Sequence, residues 1–177
     1  MGNEHNHNFA SVILAAGKGT RMRSDLPKVM HKLAGKPLIA HVLGNLTPLK
    51  PARTVLVVAP GMEAVKEAAL AAMPGCQFAV QTEQKGTGHA VSCSESLLSG
   101  FSGKVLVLYG DTPLITTDTL HAMIHAAESA EIVVLGMHLQ NPTGYGRLVG
   151  DASGRIEEIV EERDATNKQK RINLCNS

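Results

Sequence analysis

Aromatic residues are nearly missing from this chain of 177 residues, which has no Trp, 2 Tyr and 3 Phe. Platforms that stack the bases of single-stranded nucleic acids are built on aromatic faces, so that function class is excluded first. The core must then be made of Val, Leu, Ile, Met and Ala. Cysteine is scarce too: Cys76, Cys93 and Cys175 are odd in number, far apart and never in a C-x-x-C pair. Neither a disulfide framework nor a zinc knuckle is written here, and a reducing cytosol fits. No charge sign dominates, with Lys+Arg 17 against Asp+Glu 16 and a net charge of +1, and no basic run makes the patch that nucleic acid requires. No apolar run reaches the roughly 18–20 residues that cross a bilayer. The N-terminus Met1–Asn8 lacks the apolar stretch of a signal peptide, and Asn6 stands where a myristoylation motif needs Ser or Thr. The expectation is a cytoplasmic protein with no membrane and no nucleic-acid partner.

What remains is a globular composition, 44% hydrophobic and 19% charged, in a length that suits one domain. A flexible polar tail over residues 1–8 precedes a domain over 9–177. Apolar runs at Phe9–Ala15, Thr54–Ala59, Gln77–Gln81, Lys104–Tyr109 and Ile132–Leu139 are continuous rather than alternating, as in strands buried on both faces. Helical spacing falls between them at Pro37–Leu46, Met62–Met73, Gly88–Leu98 and Thr117–Ala127. Strand and helix in alternation predict an α/β fold, a Rossmann-like doubly wound and mainly parallel sheet with helices on both faces. After Gln140 the pattern changes. Arg147–Val149 and Arg155–Val160 flank Asp151-Ala152-Ser153-Gly154, which predicts an appended β-hairpin, and Ile172–Ser177 begins another extended segment.

The first strand runs into Leu14-Ala15-Ala16-Gly17-Lys18-Gly19-Thr20-Arg21-Met22. In an open α/β sheet ligands bind at the carboxyl ends of strands, and a glycine-rich turn there brings backbone N–H groups close to phosphate. No Gly-Lys-Ser/Thr closes a Walker A motif, and Met22 stands where G-x-G-x-x-G needs its third glycine. The loop instead gathers Lys18, Arg21 and Arg23, with Lys28 after Pro27, a set of cations suited to a polyphosphate. An ordinary βα turn with solvated charges is the alternative. His121 and His125 are four apart on an expected helix, but the Glu of H-E-x-x-H is missing and no third ligand is evident, so a solvated face is favoured over zinc.

Leu14–Met22, taken with Leu26-Pro27-Lys28-Val29-Met30-His31 and Leu33-Ala34-Gly35-Lys36-Pro37-Leu38, resembles the signature of the sugar-nucleotide pyrophosphorylases. Within that family it is most similar to the uridylyltransferase domain of the bacterial bifunctional N-acetylglucosamine-1-phosphate uridyltransferase / glucosamine-1-phosphate acetyltransferases. Four further motifs follow in order: Gln81–Ala90, Leu108–Leu114, Pro142–Arg147 and Ile159–Glu161. The resemblance runs from Phe9 to Ser177 and implies a fold of the nucleotide-diphospho-sugar transferase type. It also implies UTP and N-acetylglucosamine 1-phosphate as partners, UDP-N-acetylglucosamine and pyrophosphate as products, and a parent enzyme that feeds cell-wall precursor synthesis.

The implied reaction is in-line attack of the sugar phosphate on the α-phosphorus of UTP. A phosphate monoester, with a second pKa of about 6, is already mostly ionised at neutral pH, so no general base is needed. Positioning and charge neutralisation are the task. By resemblance, Arg21 sits on the pyrophosphate side, Lys28 bridges the phosphates, and Asp111, at the carboxyl end of the strand Lys104–Tyr109, holds Mg2+. An Asx-turn or helix cap is the other reading of Asp111. The resemblance assigns the nucleotide to Leu14, Ala15, Ala16, Gly17, Gly19, Gln81, Gly86 and Thr87, and the sugar to Tyr109, Gly146, Glu161 and Asn176, with Thr87 shared. Glu161-Glu162 as a glycosidase acid pair is weak, because adjacent residues point in different directions. The family domain extends past Ser177, to a late Asn that completes the magnesium site and to a β-helical acetyltransferase domain carrying the homotrimer interface. This chain is therefore expected to be a partial catalytic domain. Cytidylyl or thymidylyl transfer and a non-catalytic nucleotide-binding fragment remain the alternatives.

Overall fold

The fold was obtained as a computed structural model that describes residues 8–17, 19, 22 and 24–176. The chain forms two compact units, Met1–His125 and Ala126–Ser177. In the first, β1 (Phe9–Leu14), β4 (Arg53–Val58), β5 (Gln77–Val80) and β6 (Lys104–Tyr109) make a parallel sheet in the order β5-β4-β1-β6. The two central strands are the Val- and Ile-rich ones, as burial on both faces demands. Along β1 only Leu14 is partly exposed, and along β4 only Arg53. Ser11 and Thr54 are the polar residues inside these strands; they are register partners, and their hydroxyls meet at 2.9 Å.

Helix α1 (Leu38–Leu46) starts after Pro37 and buries Ile39, Val42, Leu43 and Leu46, the i, i+3, i+4, i+7 stripe of an amphipathic helix. It packs on α2 (Glu63–Ala72), an Ala-rich helix with Glu63 in its first turn, where a carboxylate complements the helix dipole. A two-residue ribbon, β2 (Lys32–Leu33) with β3 (Lys36–Pro37), lies between the glycine loop and α1 and is tied down by His41 Nε2 at 2.7 Å from the Leu33 carbonyl. Helix α4 (Thr117–Ala126) buries Leu120 and Ile124.

Three expectations need correction. The helix expected over Gly88–Leu98 is α3 (Thr87–Ser92) followed by a separate 3-10 turn, Glu95–Leu98. Ser92 Oγ donates to the Gly88 carbonyl and Ser94 Oγ to the Val91 carbonyl, and such local bonds compete with helix continuation. Strands β5 and β6, the two edges of the sheet, are not buried on both faces: Val80 on β5 is 46% exposed, and on β6 Leu106 and Leu108 point inward whereas Val105 and Val107 are 45% and 39% exposed. The run Ile132–Leu139 is not a buried parallel strand either, since Ile132 is 82% exposed and only β7 (Gly136–His138) is extended.

In the second unit β7, β8 (Arg147–Gly150), β9 (Ile156–Val160) and β10 (Leu174–Asn176) form an antiparallel sheet in the order β7-β10-β8-β9. The expected hairpin is thus two strands of a four-stranded sheet, with the terminal extended segment inserted between β7 and β8. At the hairpin tip Asp151 Oδ1 accepts from Ser153 N, Ser153 Oγ and Arg155 N at 2.8, 2.7 and 3.0 Å. Arg147 is 1% exposed, and its Nη2 meets Glu162 Oε2 at 2.6 Å and the Lys170 carbonyl at 3.3 Å, while Nη1 donates to the Tyr145 carbonyl. The guanidinium beside it holds the Glu162 carboxyl below the usual carboxylate range. No helix among the described residues is long and apolar enough to cross a membrane.

Candidate active site

The loop after β1 is anchored at both ends of its entry. Ala15 N donates to the Val57 carbonyl at 2.8 Å and Gly110 N to the Leu14 carbonyl at 2.9 Å, so the loop begins level with the carboxyl ends of β4 and β6. Gly19 has φ +59, and a side chain there would put its Cβ 2.9 Å from Lys28 Cβ. Glycine is what lets the loop turn back and lie on Lys28. The carboxylate of Asp111 receives Lys28, with Nζ at 2.5 Å from Oδ2. Asn45 on α1 donates to the carbonyls of Pro113 and Ile115 at 3.2 and 2.9 Å, and Thr117 Oγ1 donates back to the Asn45 carbonyl at 2.7 Å. The turn that carries Asp111 is thereby held to the first helix.

The third wall is the Gln81–Ala90 stretch. Gln81 follows β5, donates its N–H to the Val58 carbonyl at 2.8 Å and is buried, 4% exposed. Gln84 Nε2 reaches across to the Ala16 carbonyl at 2.9 Å and fastens this stretch to the glycine loop. Together these segments enclose a cavity of about 360 Å³ lined by Leu14, Ala15, Ala16, Gly17, Gly19, Lys28, Val29, Gln81, Gln84, Gly86, Thr87, Ala90, Tyr109 and Asp111. All the residues assigned to the nucleotide line it, as do Lys28, Asp111 and Tyr109. Arg21 lies outside the described residues, with Lys18, Thr20 and Arg23. Gly146, Glu161 and Asn176 belong to the second unit. There Gly146 is a place of close approach, since a side chain on it would run into the Asn176 carboxamide, and Asn176 N donates to the Gly146 carbonyl at 3.3 Å. Glu161 is exposed, and its carbonyl accepts from Asp164 N and Ala165 N at 3.0 Å. Glu162, its neighbour, is committed to Arg147.

Sequence reasoning missed Gln84, Val29, Ala90 and Asn45. The first three lie inside the motifs quoted above, and their role is visible only once the loops face one another. Asn45, in an otherwise apolar helix stripe, carries no signal of its partners in a loop that begins 68 residues later. Among the described residues no cluster of three or more His, Cys, Asp or Glu could hold a metal ion. Asp111 is a single carboxylate on the wall of this cavity. That donor set fits magnesium, which is commonly held by one or two protein oxygens plus substrate phosphates and keeps several waters.

A parallel sheet whose strand ends carry a glycine loop, a lysine-aspartate pair and a buried amide is an α/β domain with its candidate ligand site at the carboxyl ends of the strands. A family model for the MobA-like NTP transferase domain matches residues 11–172, and the chain belongs to that family. It is 51% identical over 168 residues to the bifunctional protein GlmU of Roseobacter denitrificans, which covers 95% of this chain and 37% of the relative. It is 51% identical over 171 residues to the bifunctional protein GlmU of Rhodospirillum rubrum, with the same shares. The chain therefore spans little more than a third of the length of these curated relatives. Among solved structures, a UDP-glucose pyrophosphorylase complexed with UDP-glucose superposes with a TM-score of 0.74 at 18% identity, over 96% of this chain and 74% of that one. HddC from Yersinia pseudotuberculosis complexed with GMP-PN superposes with a TM-score of 0.69 at 25% identity, over 86% of this chain and 68% of that one.

Proposed function

We propose that this chain is the nucleotide-binding part of a uridylyltransferase that makes UDP-N-acetylglucosamine and pyrophosphate from UTP and N-acetylglucosamine 1-phosphate, in the cytoplasm. The observation that carries the reading is the cavity at the strand ends, where Lys28 and Asp111 face the glycine loop and the buried Gln81. The uracil goes against Gln81, Gly86 and Thr87, where side-chain and backbone polar groups meet the edges of a base. Small residues, Ala15, Ala16 and Gly17, leave room for the nucleoside, and the triphosphate runs along the loop toward Lys28. Both reactants are anions, so the chief barrier is bringing them together. The Lys28 ammonium lowers it by attracting both, and fixed backbone N–H groups stabilise the growing charge without reorganisation. Asp111, with phosphate oxygens of the substrate, would hold Mg2+, which would supply Lewis-acid neutralisation of the leaving pyrophosphate. Arg21 is the proposed second cation on that side. Tyr109 is the proposed sugar contact on the wall of this cavity.

The test pairs binding with turnover. UTP with magnesium should raise the melting temperature of this chain more than CTP or dTTP does. Pyrophosphate release with N-acetylglucosamine 1-phosphate is then measured in this chain and in one extended to the length of its relatives. Stabilisation by CTP in preference to UTP, or no release from the extended chain, would overturn the proposal.

A further inference from the structure

Gln81 ends on an amide whose two poles look alike in outline but opposite in hydrogen bonding, and its surroundings decide which pole is left for a ligand. Its Nε2 lies 3.3 Å from the Gly86 carbonyl oxygen and 3.1 Å from His89 Nδ1. A carbonyl can only accept, so the atom facing it is the NH2 group. The same NH2 group has one more proton, and His89 Nδ1 is the acceptor for it. As an acceptor Nδ1 carries no proton, which puts the ring proton on Nε2 in this arrangement. Both donor protons of the amide are consumed inside the protein. Oε1 has no partner among the described residues, and Gln81 lines the cavity.

We infer that His89 is a specificity-positioning residue: together with the Gly86 carbonyl it locks the Gln81 amide so that the cavity offers an acceptor, and thereby selects bases carrying N3–H over cytosine. The inference rests on the reading of this cavity as a pyrimidine nucleotide site. Uracil and thymine present N3–H, a donor that matches Oε1. Cytosine presents a bare N3, which would set lone pair against lone pair. An unrestrained glutamine would turn its amide over and serve both bases, but here the turn would face Oε1 toward the Gly86 oxygen and would oblige His89 to move its proton from Nε2 to Nδ1. A structure-only role for His89 would change affinity for both nucleotides alike, whereas this role changes their ratio.

The experiment compares dissociation constants for UTP and CTP, each with magnesium, in the wild-type chain, in His89→Leu and in His89→Asn. Leu removes the acceptor. Asn offers Oδ1 near the position of Nδ1 and restores it. The expected result is that His89→Leu shifts the CTP-to-UTP ratio toward CTP by about tenfold, the scale of one hydrogen-bond preference, and that His89→Asn keeps the wild-type ratio. An unchanged ratio in His89→Leu, with UTP still bound, would overturn the inference and leave the nucleotide site standing. Failure of the wild-type chain to bind either nucleotide refutes the site itself and this inference with it. Should His89→Leu fail to fold, nitrogen-15 NMR of the wild-type imidazole decides: the Nε2–H tautomer is required, and the Nδ1–H tautomer would overturn the lock.

Discussion

Lys28 and Asp111 are each other's counter-ion at 2.5 Å, with side chains 46% and 23% exposed, so water screens the pair and its contribution to stability is small. Their value is in the reaction, and the two substitutions separate the roles. In the extended enzyme Lys28→Ala should cut kcat by roughly 10²–10³, the scale for losing one preorganised charge-stabilising donor, with little change in melting temperature. An undiminished kcat would remove Lys28 from the chemistry. Asp111→Asn should weaken the binding of Mn2+ in the presence of UTP, read as a rise in the electron-paramagnetic signal of free Mn2+, because the amide oxygen carries no charge; an unchanged affinity would place the metal on other groups. Gly19→Ala combines a left-handed backbone, which costs a side-chain-bearing residue about 1–2 kcal/mol, with a collision against Lys28. Weaker UTP binding than wild type is expected from it in titration calorimetry. Lys28 and Asp111 are legible in the sequence because each follows an unmistakable punctuation mark, Pro27 or the Gly110 turn. His89 is not, since its use depends on the Gln81 amide eight residues earlier.

Among the elements, the β8–β9 hairpin carries a carboxylate at its tip that makes it sensitive to pH. Hydrogen bonds from Ser153 and from the Arg155 backbone hold the Asp151 carboxyl below its ordinary range. The contribution of a carboxylate depressed on folding is present above its unfolded pKa and lost as pH falls through the lower folded value. The protection factors of the Ser153 and Arg155 amides, which discount the intrinsic pH dependence of exchange, should therefore be high at neutral pH and fall on acidification, and Asp151→Ala should lower them at neutral pH. Equal exchange in the two proteins at neutral pH would contradict this. That hairpin is readable in advance because Asp-Ala-Ser-Gly encodes its own turn. By contrast β6 hides its situation: Lys-Val-Leu-Val-Leu-Tyr reads as a central strand, yet it is an edge, and edge position is a property of the sheet rather than of the segment. Exposed valines on an unpaired edge invite strand addition, so Val107→Lys should reduce concentration-dependent light scattering without altering UTP binding.

At the scale of the whole molecule, α/β class, strand order along the chain and the location of the ligand cavity follow from alternating apolar runs and one glycine loop. The antiparallel sheet of the second unit does not, because its pairing joins β7, β8 and β10 across long separations and one buried arginine. The core of the first unit is made with almost no aromatic volume, so its stability rests on many aliphatic contacts. Leu56→Ala, at a fully buried position on β4, should cost about 2–5 kcal/mol in urea denaturation. The Ser11–Thr54 hydroxyl pair, finally, acts as an alignment key between the two central strands. Apolar residues on either side are interchangeable in shape, so Val and Ile alone would tolerate a shifted pairing. A slip would strand two buried hydroxyls without partners, at about 1–3 kcal/mol each, and would carry the end of β1 away from the ends of its neighbours. One small polar contact between the two central strands thus helps set the height at which the glycine loop emerges.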